Sequence, residues 1–267
     1  MSKAEKDATP LDRIRNHLKT LKLREIDNHL DDHLAMAVNG QLSPSEMLER
    51  LLELEAGALI ERRIERRIKE SKLPERKILG DFDFEFQKGI DKQQIMELAT
   101  LSFVARKQGL IIAGSSGSGK SHITKALLLI GCQKQYRCRY TTATDMLKDL
   151  MSGLPDDTLD KKLKRYTRPD ILLIDEVGFD RLEQESARNA SLFFKVIDAR
   201  YGRCSTLMTT NVDFKALGDY LGDPVITTAI VDRMIHRSVI INVEGPSWRM
   251  HRSKQINKRP HNPNQKN

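Results

Sequence analysis

The chain is expected to fold as an α/β protein: a five-stranded parallel sheet between helices, preceded by a helical N-terminal domain. Three observations predict this. From about residue 90 onward, short apolar runs alternate with helical stretches, the pattern of a parallel sheet with crossover helices. One of those runs leads directly into a glycine-rich loop that opens a helical segment, and another ends in two adjacent carboxylates. Ahead of residue 75 the aliphatic residues recur at helical spacing instead.

Taken in order, Leu18, Leu21 and Leu30, then Leu48, Leu51, Leu52, Leu59, Ile64 and Ile68, predict helices across residues 11–73. The second long helix is expected to begin at Ser43, where Ser43-Pro44-Ser45-Glu46 offers a capping hydroxyl, a first-turn proline and a glutamate at the third position. Pro74 gives it a natural end. Along it Arg62, Arg63, Arg66 and Arg67 make two pairs on neighbouring faces. These arginines suit DNA phosphates, and they equally suit a solvent face laced with ion pairs such as Glu65 to Lys69. Phe82-Asp83-Phe84-Glu85-Phe86 could lay its aromatics against a nucleotide base or over the sheet edge. The five strands are expected at Leu110–Ala113, Arg139–Thr142, Ile171–Ile174, Thr206–Thr210 and Val239–Val243. The domain boundaries that follow are 1–75 for the helical N-terminal domain (oligomerisation or DNA binding), 76–253 for the sheet domain and 254–267 for a basic, disordered tail.

Composition narrows the classes. With 267 residues, 39% hydrophobic and 31% charged, the chain can fill one core domain and a smaller appendage under a strongly solvated surface. Six of the eight net positive charges (Arg249, Arg252, Lys254, Lys258, Arg259 and Lys266) follow Glu244. Such a tail can bind phosphate backbones or simply be solvated. Cys132, Cys138 and Cys204 are an odd set with no C-x-x-C pair, which points away from a disulfide framework or zinc site and toward a reducing cytoplasm. No apolar run approaches the roughly 20 residues that span a bilayer, and no membrane partner is expected.

The chemistry sits in two motifs. Gly114-Ser115-Ser116-Gly117-Ser118-Gly119-Lys120-Ser121 matches G-x-x-x-x-G-K-[ST] in full, and with the following His122 it supplies the expected nucleotide-binding residues. Backbone N–H groups of such a loop, and the helix N-terminus behind it, point at phosphate oxygens. Lys120 would meet the β- and γ-phosphates of ATP, and Ser121 would ligate Mg2+. Downstream, the apolar run Ile171-Leu172-Leu173-Ile174 ends in Asp175-Glu176. Asp175 is placed to hold the metal, and Glu176 to orient and deprotonate the attacking water. Asn211, after the next strand, could bond the γ-phosphate or that water, although asparagine there is also an ordinary turn residue. Farther on, Arg233 and Arg237 stand one turn apart on a helix; either could reach a neighbouring subunit's γ-phosphate, Arg233 being preferred, or simply form a surface salt bridge.

These motifs lie in a longer pattern. Leu101-Ser102-Phe103, Tyr140-Thr141-Thr142-Ala143, Leu172 to Gly178, Leu192 to Ile197 with Arg200-Tyr201, Thr210-Asn211, Asp232-Arg233 and Gly245-Pro246-Ser247-Trp248-Arg249 together resemble the IstB helper ATPases of bacterial insertion sequences, relatives of the DnaC helicase loaders and DnaA initiators. The resemblance covers roughly residues 45–252. It implies an AAA+ P-loop NTPase core with no C-terminal lid, ATP and Mg2+ as cofactors, and Asn211 in the position called sensor 1. It also implies an ATP-dependent homo-oligomer on duplex DNA that selects or remodels a target and recruits a partner transposase. The sequence departs from the family at Ser115-Ser116 and Ser118, and at Trp248, where tyrosine is usual. A DnaC-like loader of a replicative helicase is the alternative from the same superfamily. A small-molecule kinase fits Asp175-Glu176 and the late arginines poorly, and a non-hydrolysing scaffold leaves Glu176 without a purpose.

Overall fold

The computed structural model of the protein describes residues 9–178, 187–212 and 224–257. The apolar runs become β1 (Gly109–Gly114), β2 (Cys138–Thr142), β3 (Ile171–Val177), β4 (Ser205–Thr210) and β5 (Ser238–Val243), joined in one sheet of order β2-β3-β4-β1-β5. Every neighbouring pair is parallel. All five expected strands are present, each one to three residues longer than the sequence pattern indicated.

Register and alternation divide the strand residues between two faces. Ile111, Met208, Ile174 and Leu172 share one of them. Against it pack α7 (Ala143–Met151), α8 (Leu159–Thr167), α9 (Ala187–Arg200) and α10 (Pro224–His236), with Met146, Leu147, Phe193, Val196 and Ile230 fully buried. The opposite face, with Leu110, Ile112, Leu173 and Leu207, lies under α6 (Lys120–Gln133), which touches four of the strands and buries Ile123, Leu127 and Leu128. Because both faces are covered, the central strands β1 and β3 read as continuous apolar runs. Arg200 is enclosed as well. Its guanidinium donates to Thr206 Oγ1 and to the carbonyls of Tyr166, Pro169 and Ser205, tying the end of α9 to the start of β4. Burial pulls its pKa below that of a free arginine.

Three helices precede this layer structure: α1 (Pro10–Leu21), α2 (Arg24–Val38) and α3 (Pro44–Ser71). Residues before Ser43 thus hold two helices, separated where Lys22 takes a left-handed conformation (φ 61°) and Leu23 N–H returns to the Leu18 carbonyl. The cap at Ser43 forms as its sequence predicts: Glu46 N–H donates to Ser43 Oγ (3.3 Å) and Ser43 N–H to Glu46 Oε2 (2.8 Å). Leu18, Ile26, Leu30 and Leu51 make a small separate core. The chain divides into two compact units, Met1–Arg66 and Arg67–Asn267. That division falls inside α3, earlier than the loop at residue 75, because the last turn of the helix is buried with the second unit, where Ile68 is buried and Ser71 is fully enclosed, its Oγ donating to the Ile68 carbonyl at 2.7 Å.

Between α3 and β1 come a 3-10 turn (Leu79–Asp81), α4 (Lys92–Ala99) and α5 (Ser102–Ala105); after β5 comes α11 (Trp248–Asn257). The stretch expected to be disordered from residue 254 therefore begins as helix, and residues 258–267 lie outside the described residues. Among the described residues, no helix is long and apolar enough to cross a membrane, and no group of three His, Cys, Asp or Glu could hold a metal ion.

Candidate nucleotide-binding site

Strand order decides what meets at the carboxyl edge of the sheet. Since β4 lies between β1 and β3, the loop after β1, the turn after β3 and the residue after β4 emerge side by side. In the first of these, two glycines are required. A Cβ on Gly114 (φ +148°) would sit 2.3 Å from the Val243 carbonyl oxygen, and one on Gly119 (φ +93°) would sit 2.5 Å from the Phe82 ring. The loop is thereby pressed against β5 on one side and the aromatic lead-in on the other.

Lys120 opens α6 and folds back over the loop, donating to the carbonyls of Gly114 (2.7 Å) and Ser115 (2.8 Å). Burial lowers its ammonium below the usual lysine range; the Asp175 carboxylate opposes that shift and the Arg249 charge adds to it. Ser121 and Asp175 meet as their motifs predict. Ser121 Oγ donates to Asp175 Oδ1 at 2.8 Å, Tyr140 Oη donates to Oδ2 at 3.3 Å, and Lys125 Nζ lies 3.8 Å from Oδ2. Thr209 Oγ1 donates to the same carboxylate. The Tyr140 phenol is pushed above its usual range by burial first and by Asp175 second. A hydroxyl and an adjacent carboxylate are the hard oxygen donors that Mg2+ takes when it keeps most of its water, so the residues fit that ion.

Beyond Asp175 the ladder with β4 breaks between Ile174 and Val177. Glu176 occupies the irregularity at φ +62°, exposed, with its N–H donated to Thr209 Oγ1 at 3.0 Å. A glutamate held in the left-handed region costs about 1–3 kcal/mol. Thr209 therefore secures both acidic residues, accepting from the backbone of one and donating to the side chain of the other.

Above these groups lies a cavity of about 310 Å³. Ser116 to His122, Glu176, Thr209, Thr210 and Asn211 line it, together with Phe82, Phe86, Trp248 and Arg249 and the carboxylates of Glu75, Asp81 and Asp83. Gly114 and Ser115 do not line it and act on it through Lys120. Arg233 and Arg237 do not line it either. Arg233 donates through Nε to Asp198 (2.8 Å) and through Nη1 to the Ala229 carbonyl (3.2 Å), with its guanidinium 4.9 Å from the Phe194 ring centre. Both arginines border a small cavity of about 30 Å³ beside Gly109 and Ser238, the first residues of β1 and β5, at the opposite edge of the sheet. In the N-terminal unit Arg62 pairs with the buried Glu55 at 2.8 Å and approaches Glu25 at 3.9 Å, while Arg63 is exposed. On the final turns of α3, Arg67 lies 3.7 Å from Glu70.

A sequence model of the IstB-like ATP binding proteins, IstB_IS21, matches residues 16–256. The chain belongs to this IstB-like family. The match extends well ahead of residue 45, taking in α2 and the second half of α1. Among relatives, the ATP-binding protein of insertion sequence IS232 from Bacillus thuringiensis subsp. berliner is 33% identical, over 88% of this chain and 92% of that one. The counterpart in IS5376 of Geobacillus stearothermophilus is 38% identical over 78% and 82%. The counterpart in IS21 of Pseudomonas aeruginosa is 34% identical over 87% of each. Solved structures share the fold: DnaI superposes with a TM-score of 0.52 at 21% identity, over 63% of this chain and 92% of that one. AMPPCP-bound DnaA from Aquifex aeolicus gives 0.52 at 18%, over 68% and 56%. The IstB-like chain thus has the AAA+ P-loop fold, in agreement with the fold its sequence predicts.

Thr209, Tyr140, Trp248 and Arg249 are site residues to which the motifs assign no role. Thr209 is visible only in hindsight, as a hydroxyl two positions before Asn211 on a strand beside β3. Trp248 and Arg249 lie in the closing family motif, and nothing in their spacing shows that they return to the P-loop.

Proposed function

We propose that this IstB-like protein is a Mg2+-dependent ATPase that assembles on duplex DNA and acts as a transposition helper, preparing a target and recruiting a partner transposase. The observation that carries the reading is the joining of Ser121, Asp175 and Thr209 beneath a cavity that Lys120, Glu176 and Asn211 all reach. Its biological setting is supported by the relatives, which are the ATP-binding proteins of insertion sequences.

In this reading the N–H groups of Ser116 to Ser121 cradle the phosphates of ATP, and Lys120 exchanges its loop carbonyls for phosphate oxygens. Ser121 and Asp175 would hold Mg2+, which when bound neutralises charge on the β- and γ-phosphate oxygens. Glu176 accepts a proton from the attacking water as its oxygen bonds to the γ-phosphorus and the bond to ADP breaks. Asn211 orients that water. Arg233, distant from its own cavity, serves the γ-phosphate of the neighbouring subunit, which makes turnover depend on assembly.

The test is ATP hydrolysis across a range of protein concentrations with and without duplex. A specific rate that rises with both is expected. A rate that is flat in concentration and answers only to single strands would move the protein to helicase loading, and no hydrolysis under any condition would sink the ATPase reading.

A further inference from the structure

One lysine at the nucleotide site belongs to neither motif. Lys125 lies on α6 with its side chain only 12% exposed, and its ammonium faces two carboxylates, donating to Glu75 Oε1 at 3.2 Å and lying 3.8 Å from Asp175 Oδ2. The Tyr140 ring is centred 5.4 Å away. The other partners of Asp175 are the neutral hydroxyls of Ser121, Thr209 and Tyr140, so among the described residues Lys125 is the one cation within 4 Å of that carboxylate. Glu75 connects this charge to the aromatic lead-in. Its second oxygen pairs with Lys77 at 2.9 Å, and its carboxyl is held below the usual range by Lys77 first and, against the effect of burial, by Lys125. Three residues on, the Ile78 carbonyl accepts from His122 Nε2 at 2.9 Å. His122 and Lys125 stand three positions apart on α6 and so share a face. Together they tie residues 75–78 along the helix, and Phe82 then packs edge to face on His122 with ring centres 5.4 Å apart. Glu75, Lys77, Asp81 and Phe82 line the nucleotide cavity.

A lysine is a compact charge on a flexible stem with three donors, able to shift between two acceptors a few ångströms apart. A mostly buried ammonium must also stay paired. A divalent cation held by Asp175 would share that carboxylate with Lys125, and like charges so close repel. We propose that Lys125 is a positioning residue that counters the Asp175 charge in the metal-free site and passes to Glu75 when Mg2+ is held, so that metal occupancy fastens residues 75–82 to α6. The inference rests on the reading of the site as one for ATP and Mg2+ and deepens it, giving the site a built-in competitor for its metal. Glu75 then sets how strongly Lys125 competes, because its carboxylate draws the ammonium away from Asp175.

The quantity to measure is how much Mg2+ tightens nucleotide binding. Equilibrium dialysis of the full-length protein with AMPPCP, once in EDTA and once in Mg2+, gives the ratio of the two dissociation constants. Lys125→Met keeps the buried stem and removes the competing charge, so the ratio should rise about tenfold, with weaker binding in EDTA and equal or tighter binding in Mg2+. Lys125→Arg keeps the charge and should hold the ratio near the parental value. Glu75→Gln should lower the ratio several-fold, because Lys125 is left to Asp175 alone. A lost carboxylate also weakens a cation by itself, and the double variant separates the two causes: in the Lys125→Met background, Glu75→Gln should have no further effect. Amide hydrogen exchange across residues 75–82 should slow when Mg2+ joins AMPPCP in the parent, and should not slow in Lys125→Met. Far-ultraviolet circular dichroism and Tm confirm that each variant is folded. A parental ratio in Lys125→Met overturns the inference even if residues 75–82 loosen, because the lysine is then only a brace. A double variant in which Glu75→Gln lowers the ratio as much as it does alone overturns it too. If the parent binds no AMPPCP, or binds it equally in EDTA and in Mg2+, the nucleotide or the metal half of the site reading fails first and the inference falls with it.

Discussion

Buried Thr209 accepts a hydrogen bond from the Glu176 N–H and donates one to the buried Asp175 carboxylate. Thr209→Val keeps the shape and removes both bonds, leaving a buried donor and a carboxylate lone pair unmatched. A loss of about 1–3 kcal/mol of stability follows, read as a lower urea midpoint, with turnover falling more than ATP affinity. Glu176 offers a separate test because its backbone and side chain pull in opposite directions. Glu176→Gln keeps the left-handed backbone and abolishes proton acceptance, so nucleotide should bind normally and persist uncleaved. Glu176→Gly should also stop hydrolysis, yet raise Tm, because glycine takes φ +62° without the steric penalty. A Gly variant less stable than the parent would show that the glutamate backbone is unstrained here.

At the scale of elements, legibility follows from how local the cause is. The central strands β1 and β3 are legible because each is buried on both faces and largely apolar, and the start of α3 is legible because Ser43 and Glu46 cap each other across three residues. The boundary between units is not, since nothing within α3 itself announces that Ser71 is enclosed while Arg63 is solvated. In the sequence Arg62 is one of four equivalent arginines; its pairing with Glu25 and the buried Glu55, set by tertiary packing, distinguishes it. Arg233 shows the same limit. Its place on a helix is visible in the sequence, whereas the brace from Asp198 and Phe194 on α9 needs the fold. That brace leads to a prediction about paired elements: with Nε held by Asp198, the guanidinium is pre-oriented, and Asp198→Ala should lower the assembly-dependent rate while ATP affinity stays unchanged. Arg233→Ala should lower it further. An equimolar mixture of Arg233→Ala with Lys120→Ala should regain activity that neither has alone, as each supplies what the other lacks at a shared interface. A mixture as inactive as its parts would remove Arg233 from the role of an arginine acting in trans.

Across the whole molecule the charge is unevenly shared. Residues 1–66 contain 11 Lys and Arg against 13 Asp and Glu, so the excess of +8 arises entirely in the second unit, much of it after Glu244. Phosphate binding by counterion release depends on local cations, and Arg62 is already committed to Glu55. The C-terminal cations are therefore the better candidates for the dominant interaction with DNA, ahead of α3. Affinity for duplex DNA should fall steeply with salt. Replacing Arg252, Lys254, Lys258 and Arg259 with glutamine should reduce the slope of log K against log salt by up to about 3–4, close to 0.9 for each phosphate no longer neutralised. Arg63→Gln, on the acidic unit, should leave the slope nearly unchanged. Fluorescence anisotropy of a labelled duplex between low and moderate salt measures both. The reverse pattern, a shallow slope from Arg63→Gln and a parental slope from the C-terminal variant, would return DNA binding to the N-terminal helices and leave the charged end of the chain as a solvated tail.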